Sequence, residues 1–174
     1  MKKQKGFSLI ELLIVVAIIL IIAAIAIPNF LRSKMAANES SAVGSVRTIN
    51  TAEVTYSSSW GVGYAPNLAA LGDAGATPCV AASTSACLVD GVLAAGVKSG
   101  YNFASAGTLA GGGVNNGFEV NASPVAVGTT GQRAFCSDQT GVIRFNVTGA
   151  AAGLGAGSCA GIATVAGTSG PLGN

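Results

Sequence analysis

From residue 12 to residue 27 the chain has no polar side chain, and from Phe7 to Ile27 the only ionisable one is Glu11. About 20 apolar residues in helical form cross the hydrocarbon core of a bilayer, so this stretch is long enough to do so. Lys2, Lys3 and Lys5 precede it. Basic residues on this flank favour a cytoplasmic N-terminus, with everything after Pro28 on the far side. Three fates fit such a segment. A secretory signal would be cut after its apolar core, and Ala24-Ile25-Ala26 has the small residues for that. A plain anchor would be kept, and a third kind of leader is cut before the apolar stretch, which then stays. Glu11 bears on the choice. A carboxylate costs on the order of 2.5–3.5 kcal/mol at the centre of a membrane helix and less towards the interface. A signal or simple anchor gains nothing from it, whereas a helix that later pairs the carboxylate does.

Composition constrains the rest of the chain. Of nine basic residues three lie in the first five positions, leaving six against seven acidic ones. The body is thus nearly neutral, and no basic patch remains to make nucleic acid an expected partner. There is no histidine. That removes the commonest general base and metal ligand, and neither a Ser-His-Asp nor a Cys-His site can be built. Neither a metal nor a cofactor is expected. Four cysteines, Cys79, Cys87, Cys136 and Cys159, all lie downstream of the apolar run, and none forms a C-x-x-C pair. On a translocated domain an even number reads as disulfides. Three pairings are open. The sequential one, Cys79–Cys87 with Cys136–Cys159, closes two local loops and is favoured. Three Asn-x-Ser/Thr triplets, at Asn38, Asn121 and Asn146, match a pattern with a high chance rate.

After Pro28, which removes a backbone donor and bends or loosens a helix without having to end it, Leu31, Met35, Ala42, Val46, Ile49, Ala52 and Tyr56 recur at mostly helical spacing. Arg32, Lys34, Glu39, Ser41, Ser45, Arg47 and Thr48 lie largely between them. This is an amphipathic continuation of the same helix, weakening at 38–39 and stopping in the serines at 57–59. A helix over 7–58 would be ~75–80 Å long. Its first half is apolar all round and must be covered by lipid or other chains; its second half belongs against a globular domain. Beyond Trp60 the chain turns to Gly, Ala, Ser and Thr. Residues 66–71 and 88–95 suit short helices. Strand-like runs come after them at 101–105, 118–123, 133–137 and 142–147, punctuated by Gly111-Gly112-Gly113, Asn115-Asn116-Gly117 and a tight 138–141 connection. Phe118, Val120 and Ala122 share a face, as do Ala134 and Cys136. Val142, Arg144 and Asn146 oppose Ile143, Phe145 and Val147. The expectation is an α+β chain with an antiparallel sheet of three or four strands covering the second half of the helix. The uncharged tail after 148 should be mostly loop, tied by Cys159 to the sheet edge.

The basic leader ending in Lys5-Gly6, then Phe7-Ser8-Leu9-Ile10-Glu11 and the apolar run to Pro28, resembles the prepilins of type IV pili and the related pseudopilins of type II secretion. The likeness is close over 5–29 and looser to 58. Residues 88–101 and 135–144 look like the pilin stretches that lead into and close the sheet. The resemblance implies a leader at 1–6, a membrane and filament-core segment at 7–28, an amphipathic half at 29–58 and a head at 59–174, arranged as a lollipop. It implies that a prepilin peptidase cuts between Gly6 and Phe7, where a side-chain-free residue enters a narrow cleft, and that the new amine of Phe7 is N-methylated. It further implies that Glu11 pairs with the Phe7 amine of a neighbouring subunit, since an unpaired carboxylate in an apolar bundle is disfavoured and a paired one specifies register. An intrachain pair with its own Phe7 amine is the alternative. Pro28 would divide the polymer-forming half from the half that supports the head.

In the pilin reading Cys136 and Cys159 close an exposed C-terminal loop. Partners would be other pilin subunits in a homopolymer, the peptidase, an inner-membrane assembly platform and, before assembly, the membrane itself. The chain would begin in the inner membrane, head in the periplasm, and end outside the cell. A structural subunit serving adhesion, motility or DNA uptake is expected rather than an enzyme. Two rivals remain. Major pseudopilins commonly build a calcium site from acidic residues in the C-terminal loop, and nothing after Asp138 is acidic here. A membrane-anchored enzyme or binding head would need convergent polar groups, and Asp73, Asp90, Lys98, Glu119, Arg133, Asp138 and Arg144 are scattered. Arg32, Lys34, Glu39 and Glu53 are read as a solvated helix face before they are read as subunit contacts, because exposed ion pairs contribute little.

Overall fold

The structure is a computed structural model, and it describes residues 7–73, 79–109, 113–165 and 167–172. The chain divides into two compact units, Met1–Lys34 and Met35–Asn174. One helix, α1 (Leu9–Trp60), supplies residues to both. Pro28 lies inside α1 and does not end it. Its missing N–H leaves the carbonyl of Ala24 without the usual helical donor.

In the first unit, every described side chain except the half-buried Ala23 is exposed. The helix there is apolar on all sides, so no single face can be turned inward. At its start Ser8 stands just outside Leu9, and Glu11 Oε2 accepts from the Ser8 backbone N–H at 3.0 Å. That is half of a capping box, encoded in the Ser8-x-x-Glu11 spacing and invisible to hydrophobic periodicity.

The second unit is built on the remaining turns of α1. Ala42, Val46, Ile49, Ala52 and Tyr56 are buried there, as the amphipathic pattern requires. The pattern needs correcting at both ends. Leu31 is exposed and belongs to the first unit, while Glu39, Ser45 and Glu53 are buried on the inward face. After α1 come α2 (Leu68–Leu71) and α3 (Gly91–Ala94), both shorter than the expected 66–71 and 88–95. Each is capped by a side chain: Asn67 Oδ1 accepts from Ala70 N–H, and Asp90 Oδ1 from Leu93 N–H.

The sheet is antiparallel, with its strands side by side in chain order. They are β1 (Val97–Lys98), β2 (Tyr101–Leu109), β3 (Asn115–Pro124), β4 (Ala134–Asp138), β5 (Arg144–Asn146) and β6 (Ser169–Pro171). Six strands replace the expected three or four. The two additions are the edges: β1 is only two residues long, and β6, Ser169-Gly170-Pro171, has no β-branched residue to announce it. β6 also removes part of the tail from the expected loop. Of the glycines expected to punctuate the β2–β3 gap, Gly111 and Gly112 lie outside the described residues; Gly113 takes a positive φ of 80°. The strand expected over 142–147 shortens to three residues.

Register explains the core. Tyr101, Phe103 and Ser105 of β2 stand opposite Pro124, Ala122 and Val120 of β3. Val120 and Ala122 stand opposite Ser137 and Phe135 of β4. Together with Phe118 these residues form the face turned to α1, where Asn50 Nδ2 donates to Ser137 Oγ at 2.8 Å. The other face of β3 and β4 is buried as well, and every residue of β4 is inaccessible. The tail covers it. Asn121 Nδ2 donates to the Ala152 carbonyl at 2.6 Å, and Cys159 is disulfide-bonded to Cys136. Cys159 therefore ties the tail to an interior strand, correcting the expectation that it would reach the sheet edge.

Candidate functional site: the N-terminal segment and the polar ties of the head

The expected assembly residues begin at the leader. Gly6, with Lys2, Lys3 and Lys5, lies outside the described residues. Phe7 is 80% exposed, and Glu11 is exposed with the Ser8 N–H on one oxygen. The apolar side chains around them, including Leu9, Ile10, Leu12, Leu13 and Ile14, are more than half exposed. The candidate site is thus a bare apolar cylinder bearing one carboxylate close to its N-terminal end. Burying each such side chain is worth ~1.5–3 kcal/mol, so the segment strongly favours lipid or other helices over water. A carboxylate moved into that environment must find a cation or take up a proton.

The cysteines form two disulfides. Cys79 joins Cys87 with Cα atoms 6.2 Å apart, and Cys136 joins Cys159 at 5.7 Å. The first sits on a half-buried loop where Cys87 has a φ of 56°, unusual for a residue with a side chain. The second is buried.

The acidic residues of the second unit are not where sequence patterning places them. Glu39 is neither solvated nor free for another subunit. Its Oε1 accepts from the backbone N–H groups of Gln132 and Arg133 at 2.9 and 3.1 Å. Its Oε2 accepts from Arg133 Nε at 2.8 Å and pairs with the same guanidinium at 2.8 Å. Burial works to raise the Glu39 pKa, but the two N–H groups and the guanidinium outweigh it, and the carboxyl is held below its ordinary value. The Arg133 guanidinium also lies 5.6 and 5.8 Å from the ring centres of Phe135 and Phe145.

Glu53 is wholly buried. It accepts from Ala65 N–H at 2.9 Å and from Ser105 Oγ at 2.7 Å, tying α1 to the loop after it and to β2. No cation is paired with it among the described residues. Burial pushes its pKa from 4.5 up to about 7, against the pull of those two hydrogen bonds. Glu119, on the opposite face, accepts from Gly157 N–H at 2.8 Å and Cys159 N–H at 3.1 Å. Its pKa is also raised, first by burial and then by Asp138, which stands directly opposite it in the register. Exposed Asp90 accepts from half-buried Lys98 at 2.8 Å. Sequence patterning missed these roles because a carboxylate on an amphipathic helix or in a strand is assigned to solvent by default. Among the described residues no group of three or more His, Cys, Asp or Glu side chains is placed to hold a metal. The carboxylates that the fold draws inward are occupied by backbone, hydroxyl and, at Glu39, guanidinium donors within their own chain.

Comparison with known proteins matches limited stretches of the chain. Residues 1–27 match the family described as the prokaryotic N-terminal methylation motif. A type IV major pilin protein, PilA, of Myxococcus xanthus is 46% identical over 54 residues, 31% of this chain and 24% of its own. The type IV wide pilus major component PilA4 of Thermus thermophilus is 59% identical over 39 residues, covering 22% of this chain and 30% of its own. A fimbrial protein of Pseudomonas aeruginosa is 54% identical over 52 residues, covering 30% and 34%. The chain thus spans between 24% and 34% of the length of these curated relatives. No solved structure matches it.

Proposed function

We propose that this chain, which carries the N-terminal methylation motif and is similar to type IV major pilins, is a structural subunit of a type IV pilus. The observation that carries the reading is the apolar segment after Phe7, exposed all round, with Glu11 as its lone carboxylate. In this reading the leader 1–6 is removed between Gly6 and Phe7 by a prepilin peptidase, and the Phe7 amine is methylated and keeps its charge. Segment 7–28 holds the precursor in the inner membrane with the head, 59–174, on the periplasmic side. It then exchanges lipid for the same segment of other subunits, while 29–58 supports the head and Pro28 marks the change between the two. During that exchange Glu11 meets the Phe7 amine of a neighbour. The pair replaces a carboxylate stranded in an apolar bundle with a neutralised one, and it sets how far one helix slides past the next. An assembly platform in the inner membrane delivers subunits to the filament. The product is extracellular, and the role is structural rather than catalytic. The ionisable groups of the head support this, since Glu39, Glu53, Glu119 and Asp90 are engaged in holding its own elements together.

Mass spectrometry of filaments sheared from the producing cell tests the proposal. The expected result is this chain as the dominant species, beginning at methylated Phe7. Its absence from filaments, together with a protein-secretion defect on deletion, would overturn it.

A further inference from the structure

We propose that Asn146 is an acceptor for an N-linked oligosaccharide supplied on an isoprenoid diphosphate carrier. The chain holds three Asn-x-Ser/Thr triplets, and the pattern alone does not distinguish them. A glycosyl acceptor must offer its amide nitrogen, and the hydroxyl two residues on must be open to the transferase. Asn38 fails the first condition: it lies in mid-helix and its Nδ2 donates to the Thr130 carbonyl at 2.8 Å. Asn121 fails too. It is buried in β3 between two paired strands, and its Nδ2 is spent on the Ala152 carbonyl at 2.6 Å.

Asn146 is also paired on both sides, with Ala134 of β4 and Ser169 of β6, but it is half-buried rather than buried and differs in how its amide is used. It is the last residue of β5, and its carbonyl accepts from Gly149 N–H at 3.4 Å, so the chain turns immediately after it. The side chain joins that turn through oxygen, with Oδ1 accepting from the Thr148 backbone N–H at 2.9 Å. Asparagine favours this arrangement because its short amide mimics a backbone group. With Oδ1 engaged, Nδ2 makes no hydrogen bond among the described residues. Thr148 is exposed, and its Oγ1 accepts from Ala150 N–H at 3.3 Å, leaving the hydroxyl proton available. In the transfer, Nδ2 forms a bond to the anomeric carbon of the sugar as the bond from that carbon to the diphosphate oxygen breaks. The carrier diphosphate leaves with the electron pair, and the amide proton passes to a base of the transferase.

The proposal rests on the reading that the head is exported. Its test is peptide mass spectrometry of the full chain from sheared filaments and, in parallel, from the membrane fraction. Added saccharide mass is expected on the peptide carrying Asn146, lost in Thr148→Ala and kept in Thr148→Ser, with the Asn38 and Asn121 peptides unmodified. Thr148→Ser keeps the hydroxyl and the turn, so a folding defect in the alanine variant does not blur the outcome. An unmodified Asn146, or saccharide on Asn38 or Asn121 instead, overturns the assignment. Filaments recovered with Asn146 bare would do so while leaving the pilus reading intact.

Discussion

The two stretches of α1 carry carboxylates under opposite regimes. Before residue 35 the one carboxylate, Glu11, is exposed among exposed apolar side chains, and among the described residues it accepts only from the Ser8 N–H. After residue 35, Glu39 and Glu53 are buried, and their own chain supplies two donors to each of the Glu39 oxygens and one to each of the Glu53 oxygens. The difference teaches what each stretch lacks. In the later stretch both carboxylates are answered, from β2, from the loop before β4 and from the segment after α1. The earlier one presents apolar area and one carboxylate that, among the described residues, takes a single backbone donor, which suits the proposed passage from lipid to other chains.

The comparison is broken most sharply by removing the exposed carboxylate of the earlier stretch. Glu11→Ala is expected to abolish surface filaments, while the precursor stays in the membrane fraction and the head melts as before. Sheared-filament yield and thermal melting of the purified chain check this. Filaments at undiminished yield would show that the carboxylate has no part in assembly. Among the described residues Glu11 accepts one hydrogen bond, from the Ser8 N–H in the first unit, so its replacement removes no bond of the second unit.

The disulfides come next. In the chain-entropy account, a crosslink spanning 23 residues, as Cys136–Cys159 does, stabilises by ~3 kcal/mol. Replacing both cysteines by serine should lower stability by about that much and free the tail from β4, read as faster hydrogen exchange in 148–165. The same replacement at Cys79 and Cys87, which span eight residues, should cost ~2.5 kcal/mol.

How much of this was legible in sequence divides along the same line. The N-terminal element was readable because its signal is local: an apolar run with one carboxylate needs no knowledge of the fold. Helix, sheet class and the central strands were readable because burial imposes a period. What failed was non-local. β1 and β6 exist because a neighbouring strand offers them a partner, and their residues, Val97-Lys98 and Ser169-Gly170-Pro171, carry little intrinsic preference. Glu39 and Glu53 were assigned to solvent because their donors lie on segments distant in sequence, 94 residues away for Arg133 and 52 for Ser105. The capping box at Ser8 and Glu11 is the exception, a local signal that spacing alone would have found.

Glu53 sharpens the contrast through pH. Its folded pKa of about 7 lies above the ordinary 4.5, so between those values the folded chain holds a proton that the unfolded chain has lost. Its contribution is therefore full below 4.5 and is lost as pH rises through 7, the reverse of a salt-bridged carboxylate. The span corresponds to up to ~3 kcal/mol. Glu53→Gln should remove this slope and raise stability above pH 7, because the amide can meet Ala65 N–H and Ser105 without a charge. Denaturant midpoints at pH 5 and pH 8 for both proteins measure it. An unchanged slope in the variant would assign the pH dependence elsewhere.

Glu39 should move the other way and by less. Its pKa is held below the ordinary value, so its contribution is present at neutral pH and is lost as pH falls through that depressed pKa. Glu39→Ala leaves the backbone N–H groups of Gln132 and Arg133 without their acceptor and should cost ~2 kcal/mol at pH 7. Most of that loss belongs to the two N–H groups rather than to the ion pair, because the Arg133 side chain is 40% exposed and can turn to water. Glu39→Gln discriminates between them: its carbonyl oxygen still accepts from the backbone while the charge is gone. Recovery of most of the stability in Glu39→Gln would identify the backbone clamp as the source. A loss in Glu39→Gln equal to that in Glu39→Ala would return it to the charge, and the buried stretch of α1 would then depend on electrostatic pairing as the exposed one is proposed to.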